Sequence, residues 1–336
     1  MRDRVRIAAV DMGSNTTRLI VADVHRAEDG TLTHEAIERS SAITRLGEGV
    51  AQRGILLPVP ITRVRNALVD FRRIARESGA VFVLATATSA VRDADNGEAF
   101  LGEVEHGFAF RAELLSGTDE AEATWMGVTS DPRIAARAAK EQGLLVDIGG
   151  GSTEVLLTSR GLIDDRHSFQ LGSVRLTERF LEPADAPPTR EALTAARTYI
   201  RELLIERFPE PVTPSLPIAV AGTATTVSAI LLDRPSYESD LVHGFRFSAT
   251  QLEDVIERLA ALPIEERCEV NGLEPARAPV IIGGLLVLAE VLTHFSITEI
   301  ETSERDILDG IALMAGRIAL DEGIEEMPEA FGRTVC

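Results

Sequence analysis

The stretch Leu144–Glu154, LLVDIGGGSTE, constrains the chain most, because it joins an apolar run to an acid and three consecutive glycines. Glycine runs lose more conformational entropy on folding than other sequences, so they suit places where the backbone must approach something closely. Leu144, Leu145 and Val146 read as a buried strand, Asp147 stands where that strand runs out, and Gly149, Gly150 and Gly151 turn the chain. Without side chains, backbone N–H groups can converge on an anion. Ser152 and Thr153 add hydroxyl donors, while Asp147 and Glu154 supply hard oxygens of the kind that suit Mg²⁺ beside a phosphate. The residues point to a metal–phosphate loop. The alternative is an ordinary glycine hairpin with a solvated aspartate.

The N-terminus repeats the design. Val5–Val10 is an apolar strand, and Asp11-Met12-Gly13-Ser14-Asn15-Thr16-Thr17 follows with the same terminal acid, glycine turn and hydroxyl donors. Two such loops imply two halves. Each leads into strand-like sequence, Arg18–Val24 and Val155–Thr158, so each is a β-hairpin and not the strand-to-helix turn of a dinucleotide fold. A Walker loop is excluded because its lysine follows glycine, and the only lysine, Lys140, lies between Ala139 and Glu141.

A chain of 336 residues, 45% of them hydrophobic, can bury a large core, and its length favours two domains. A net charge of −19 argues against a general nucleic-acid binder but leaves room for a small polyanion held by a metal and a few arginines. All of the 34 basic residues but Lys140 are arginine, which suits phosphate, although base composition of the genome explains it as well. No charged-then-apolar leader precedes the first strand, and the longest apolar run, near Val280–Leu292, is too short to span a bilayer, so a cytoplasmic protein without membrane contact is expected. Cys268 and Cys336 fit no metal or redox spacing.

Further along, Val81–Ala85 reads as a buried strand followed by a hydroxyl-rich turn, Thr86 to Asn96, that carries Arg92. Open α/β sheets place ligands at such strand ends, which makes Arg92 a candidate phosphate clamp. A surface pair with Asp93 or Asp95 is the competing reading. Phe108–Leu115 reads as another strand, and Ser116-Gly117-Thr118-Asp119-Glu120 turns into a helix with Ala121, Thr124, Trp125 and Val128 at helical spacing. Acids in a first turn commonly complement the helix dipole. The functional reading makes Glu120 or Asp119 a general base for water.

Asp131-Pro132 breaks the chain, which gives an expected first domain over 1–130, a second over 131–320, and a partly mobile acidic tail over 321–336. Within the second, Pro217–Ala221 enters Gly222-Thr223-Ala224-Thr225-Thr226, a third candidate phosphate or nucleotide turn. His243 is either a ligand contact or a locally satisfied histidine. Pro275–His294 reads as one long apolar helix, and its Gly283 and Gly284 suggest close packing against another backbone; Ser303–Arg317 reads as a last helix.

In order, VDMGSNTTRLIVADV, ATATSAVRDADN, LLSGTDEAEATWMGV, VDIGGGSTEVLL, LGSVRLTERF and AGTATT resemble the signatures of the exopolyphosphatase/guanosine pentaphosphate phosphohydrolase family, over Val5–Gly316. The resemblance implies an α/β fold of two duplicated ribonuclease-H-like domains, of the actin-like, sugar-kinase and heat-shock ATPase superfamily, with a cleft between them. It implies hydrolysis of the terminal phosphoanhydride of inorganic polyphosphate, or of guanosine pentaphosphate, with Mg²⁺ as cofactor. Carried over by position, Glu120 matches the catalytic base, Arg92 the arginine that grips phosphate, and Asp147 the metal-associated acid, with Glu154 as a further metal contact. Asp11, Gly13, Ser14 and Asn15, and the loop of Gly149, Gly150, Gly151, Ser152 and Thr153, match phosphate cradles; Gly222 and Thr223 join them as further phosphate contacts.

Family members often pair, so a homodimer through the C-terminal helices is an expectation too. Three departures stand out: Asp119 replaces a glutamate common beside the base, Met12 replaces an aliphatic residue, and the chain stops before the C-terminal helical region of the longest members. The last implies weaker processivity and a preference for short polyphosphates or a nucleotide. Within the superfamily the alternatives are a kinase, which would lack a water-activating base at Glu120, and a non-catalytic phosphate or nucleotide sensor or an actin-like assembly protein, which rest on fold analogy alone.

Overall fold

The computed structural model describes residues 3–234 and 236–328. They form two compact units, one running to Asp131 and resuming at Asp306, the other spanning Pro132–Arg305.

In the first unit, β1 (Arg4–Met12) and β2 (Thr16–Arg26) form an antiparallel hairpin, and β3 (Leu32–Ile43) pairs antiparallel along β2. Helices α1 (Val50–Arg53) and α2 (Pro58–Glu77) return the chain to β4 (Phe82–Ala87), parallel to β1. After α3 (Ser89–Arg92) and α4 (Gly97–Phe108), β5 (Arg111–Leu114) lies parallel to β4, completing the order β3-β2-β1-β4-β5; α5 (Gly117–Thr129) follows. A strand covered on both faces reads as a continuous apolar run, and β1 is such a strand. Ala8, Val10 and Met12 join one core with Leu68 and Phe71 of α2 and Phe100 and Val104 of α4, while Val5, Ile7 and Ala9 join another. Phe108, read as the start of a strand, instead ends α4, and the strand is confined to Arg111–Leu114. Three glycines weaken the helical signal of α4, which forms because Phe100 and Val104 share a buried face.

The second unit opens with α6 (Pro132–Ala138), then repeats the plan. A hairpin of β6 (Gln142–Ile148) and β7 (Thr153–Ser159) carries β8 (Leu162–Phe169) on its outer side. Helices α7 (Ser173–Phe180) and α8 (Arg190–Arg207) lead to β9 (Leu216–Val220), parallel to β6. Next come α9 (Ala221–Leu232), α10 (Ser239–Val242), the three-residue strand β10 (Arg246–Ser248), α11 (Ala249–Ala260) and α12 (Ile264–Cys268). A 3₁₀ turn, Pro275–Arg277, precedes α13 (Ile281–His294), so the long helix expected from Pro275 begins later. β11 (Glu299–Thr302) then runs parallel to β9, giving the order β10-β11-β9-β6-β7-β8. Without the edge strand β10, this is the order of the first sheet. The duplication implied by the two glycine turns is therefore present in the topology.

The last helix, α14 (Ile307–Glu322), corrects the expected boundary at 320, because it belongs to the first unit. Ile307, Ile311 and Ala315 share a core with Ile7, Ile20 and Leu84 of the first sheet. α14 also crosses α5 at glycines: a Cβ on Gly310 would collide with the Ala123 carbonyl, and one on Gly127 with the Asp306 carbonyl. The helix starts later than Ser303 because Asp306 caps it, its Oδ1 accepting the Leu308 amide at 2.9 Å. Asp321 and Glu322, assigned to the tail, complete α14; residues 329–336 of the tail lie outside the described residues. Among the described residues no helix is long and apolar enough to cross a membrane.

Candidate active site

In the β1–β2 turn the Gly13 amide donates to the Thr16 carbonyl at 3.1 Å, and a Cβ on Gly13 would come within 3.0 Å of that oxygen. The hairpin register sets Arg18 directly opposite Asp11, and Arg18 donates to Asp11 Oδ2 from Nη2 at 2.8 Å and from Nε at 3.1 Å. Arg18 Nη1 continues to Asp306, the cap of α14. Burial still dominates over this cation and raises the Asp11 pKa above the ordinary carboxylate value. The turn is anchored from outside: the Gly47 amide donates to the Ser14 carbonyl at 2.8 Å, and the Thr44 and Arg45 amides to the Asn15 carbonyl at 3.0 and 2.9 Å. Because a trans peptide is planar, a Ser14 carbonyl fixed on Gly47 directs the Asn15 amide to the opposite side.

Ser14 Oγ lies 2.9 Å from Ser89 Oγ, at the start of the short helix that ends in Arg92. Arg92 Nη1 donates to the Leu115 carbonyl at 2.8 Å and lies 3.4 Å from Glu120 Oε2. Glu120 is buried in the first turn of α5. The neighbouring acid instead starts the helix, through a capping box in which Asp119 Oδ2 accepts the Ser116 amide and Ser116 Oγ accepts the Asp119 amide. Of the two acids, Glu120 is the one beside Arg92. Three buried polar atoms of this cluster, Asp11 Oδ1, Asn15 Oδ1 and Arg92 Nη2, have no hydrogen-bond partner among the described residues. Such a group costs roughly 1–3 kcal/mol when left unsatisfied, so it calls for an explanation, and a ligand supplies one.

The β6–β7 turn in the second unit is closed by the same bond, from the Gly149 amide to the Ser152 carbonyl at 3.0 Å. Here the register pairs Asp147 with Glu154, both buried, and Ser168 Oγ donates to Glu154 Oε1 at 2.6 Å. Like charges directly opposite each other in a sheet repel, and two buried carboxylates suit a hard divalent cation. Among the described residues no group of three or more His, Cys, Asp or Glu stands ready to hold a metal, so water and ligand oxygens would complete such a shell. Thr153 Oγ1 donates to the Leu171 carbonyl at 2.5 Å and so fastens the loop.

The glycine loop lies on the start of α7. The Ser173 amide donates to the Gly149 carbonyl and the Val174 amide to the Gly150 carbonyl, both at 2.9 Å. Peptide planarity then turns the Gly150 and Gly151 amides away from α7, a concave pair of donors that suits an anion. A Cβ on Gly172 would collide with the Gly150 carbonyl, so only glycine permits this seat. Gly283 packs against backbone as its sequence suggests, since a Cβ there would come to 2.6 Å from the Ser173 carbonyl, whereas Gly284 packs against a side chain, where a Cβ would strike Thr223 Oγ1.

The segment Gly222–Thr226 is not a separate turn but the opening of α9, which begins at Ala221 with φ +63°. Gly222 lies beneath the Arg277 guanidinium, where a Cβ would collide with Nη1, and Thr223 faces α13. His243 Nδ1 accepts the Glu304 amide at 3.1 Å, the locally satisfied arrangement. The first unit thus gathers Asp11, Gly13, Ser14, Asn15, Arg92 and Glu120, and the second gathers Asp147, Glu154 and the loop Gly149–Thr153. Gly222 and Thr223 follow β9, the parallel neighbour of β6, and Thr223 lies close to Ser173, whose amide donates to the Gly149 carbonyl. Sequence reading missed Arg18, the partner of Asp11. Arg18 was findable, since counting across the turn places it opposite Asp11.

Two sheets of one topology, each with an acid-and-glycine hairpin turn, define a protein of the actin-like ATPase fold. The chain belongs to the Ppx/GppA phosphatase family, whose pattern matches residues 23–315. Exopolyphosphatase 2 of Mycobacterium tuberculosis is 35% identical to it, over 92% of this chain and 98% of the relative. The crystal structure of an exopolyphosphatase-like protein, 30% identical, superposes with a TM-score of 0.86 over 95% of this chain and 100% of that one. The Aquifex aeolicus member of the Ppx/GppA family, 26% identical, superposes with a TM-score of 0.76 over 96% of this chain and 100% of that one.

Proposed function

We propose that this chain is an exopolyphosphatase, which removes the terminal phosphate of inorganic polyphosphate with Glu120 as general base. The observation that carries the reading is the arrangement of Arg92, with one arm on the Leu115 carbonyl and beside Glu120 and the other, Nη2, buried without a partner. A terminal phosphoryl oxygen fits that second arm. Glu120 then takes a proton from water, the water oxygen bonds to phosphorus, and the anhydride P–O bond breaks with its electron pair on the shortened polymer. Arg92 and the turned-out Asn15 amide of the same unit neutralise charge on the phosphoryl oxygens.

Mg²⁺ is the cation we assign to Asp147 and Glu154, where it would screen the phosphates from those acids. Polyphosphate is favoured over guanosine pentaphosphate because the relative at 35% identity bears the name exopolyphosphatase. A kinase is disfavoured because this reading gives Glu120, buried beside Arg92, the task of activating water.

Orthophosphate release from polyphosphate in Mg²⁺ buffer tests this. Glu120→Gln is expected to lose about 10²–10⁴-fold in rate with the fold intact. A variant at full rate would remove Glu120 from the chemistry, and a folded wild type that releases no orthophosphate would remove the activity itself.

A further inference from the structure

The carbonyls of Gly149, Gly150 and Gly151 all have partners at the start of α7, but the donors differ in kind. Backbone amides of Ser173 and Val174 hold the first two at 2.9 Å, and no side-chain substitution deletes them. The third is held by a side chain, through Arg175 Nε at 2.9 Å from the Gly151 carbonyl. A planar peptide with its carbonyl fixed on Arg175 sends the following amide, that of Ser152, to the opposite side, in line with the Gly150 and Gly151 amides. The other edge of the guanidinium is fixed as well, because Nη2 donates to Gln170 Oε1 at 3.0 Å. A planar fork held at two points sets a direction that a flexible ammonium does not.

We infer that Arg175 is a positioning residue that sets the Ser152 amide of the phosphate cradle, and through it the grip on phosphate. The inference rests on the phosphate-cradle reading of the β6–β7 turn. Arg175 acts on the loop and not on the reacting atoms, so its removal weakens binding more than turnover. It also adds a positive charge beside a turn that holds two acids, and the choice of variants separates charge from direction.

The experiment compares wild type with Arg175→Met, Arg175→Lys and Gln170→Leu in Mg²⁺ buffer, by calorimetric titration with inorganic phosphate and by steady-state hydrolysis of polyphosphate. Thermal melting of each variant checks the fold. Arg175→Met is expected to weaken phosphate binding and raise KM about 10-fold, the scale of one lost hydrogen bond to a charged ligand, with kcat largely retained. Arg175→Lys recovers only part of this, and Gln170→Leu, which leaves Nε in place, shows a smaller loss.

Unchanged phosphate affinity and KM in Arg175→Met would overturn the inference. Full recovery in Arg175→Lys would overturn it also, since charge alone would then suffice, as would a fall in kcat at constant KM. A wild type that binds phosphate but cleaves no polyphosphate ends the exopolyphosphatase reading, while the phosphate affinities of the variants still decide the role of Arg175.

Discussion

Asp11 is pulled in two directions. Burial favours its neutral form, Arg18 favours the ionised one, and burial wins, with Asp306 adding repulsion. A carboxyl whose folded pKa lies above its unfolded value binds more protons in the native state, so stability falls as pH rises through that interval and stays lower at neutral pH. Asp11→Asn is therefore expected to melt at or above the wild-type temperature at pH 7 while losing activity, a trade found where a site is built against stability. Thermal melts at pH 7 check it, and a clearly lower midpoint would mean that the ion pair outweighs burial. Asp11 and its turn were legible in the sequence because strand, acid and glycine are local signals. From the residues alone the choice between Asp119 and Glu120 was not, since both complement a helix start; the family resemblance picked out Glu120, and the capping box gives Asp119 a separate role.

Among elements, the hairpins and the helix bearing Glu120 were readable from periodicity and turn chemistry. Three things were not. α4 is rich in glycine and held by tertiary packing, β10 has only three residues, and Gly222–Thr226 resembles a turn in composition yet lies in a helix packed on α13. Gly310 illustrates what pattern alone conceals, because nothing local marks it as the contact between α14 and α5. Gly310→Val drives a side chain into the Ala123 carbonyl of the helix that carries Glu120. The expected cost is about 1–3 kcal/mol or more, with activity falling alongside stability, measured by urea unfolding and orthophosphate release. A variant as stable as wild type would show that the two helices separate at no cost.

For the whole molecule, the decisive fact is that the first unit is discontinuous in sequence. The second has a core drawn entirely from its own residues, Leu144 to Ile300. The first needs α14 to cover Ile7, Ile20 and Leu84. A fragment of residues 132–305 is expected to melt cooperatively alone, and a fragment of residues 1–131 to remain unfolded or aggregate until residues 306–336 are supplied. Circular dichroism and melting of the separate fragments decide it, and a cooperative, monomeric 1–131 fragment would contradict the role given to α14. No composition statistic revealed this, because hydrophobic pattern identifies a buried face without naming what buries it.

The same return of the chain has a consequence for how the protein is made. On a ribosome the sheet of the first unit emerges early but waits with one face uncovered, while the middle of the chain is synthesised and can fold. Only when the final helix leaves the exit tunnel can the oldest part of the molecule close, so what is made first is finished last. During that interval the uncovered strands are the part most in need of a chaperone.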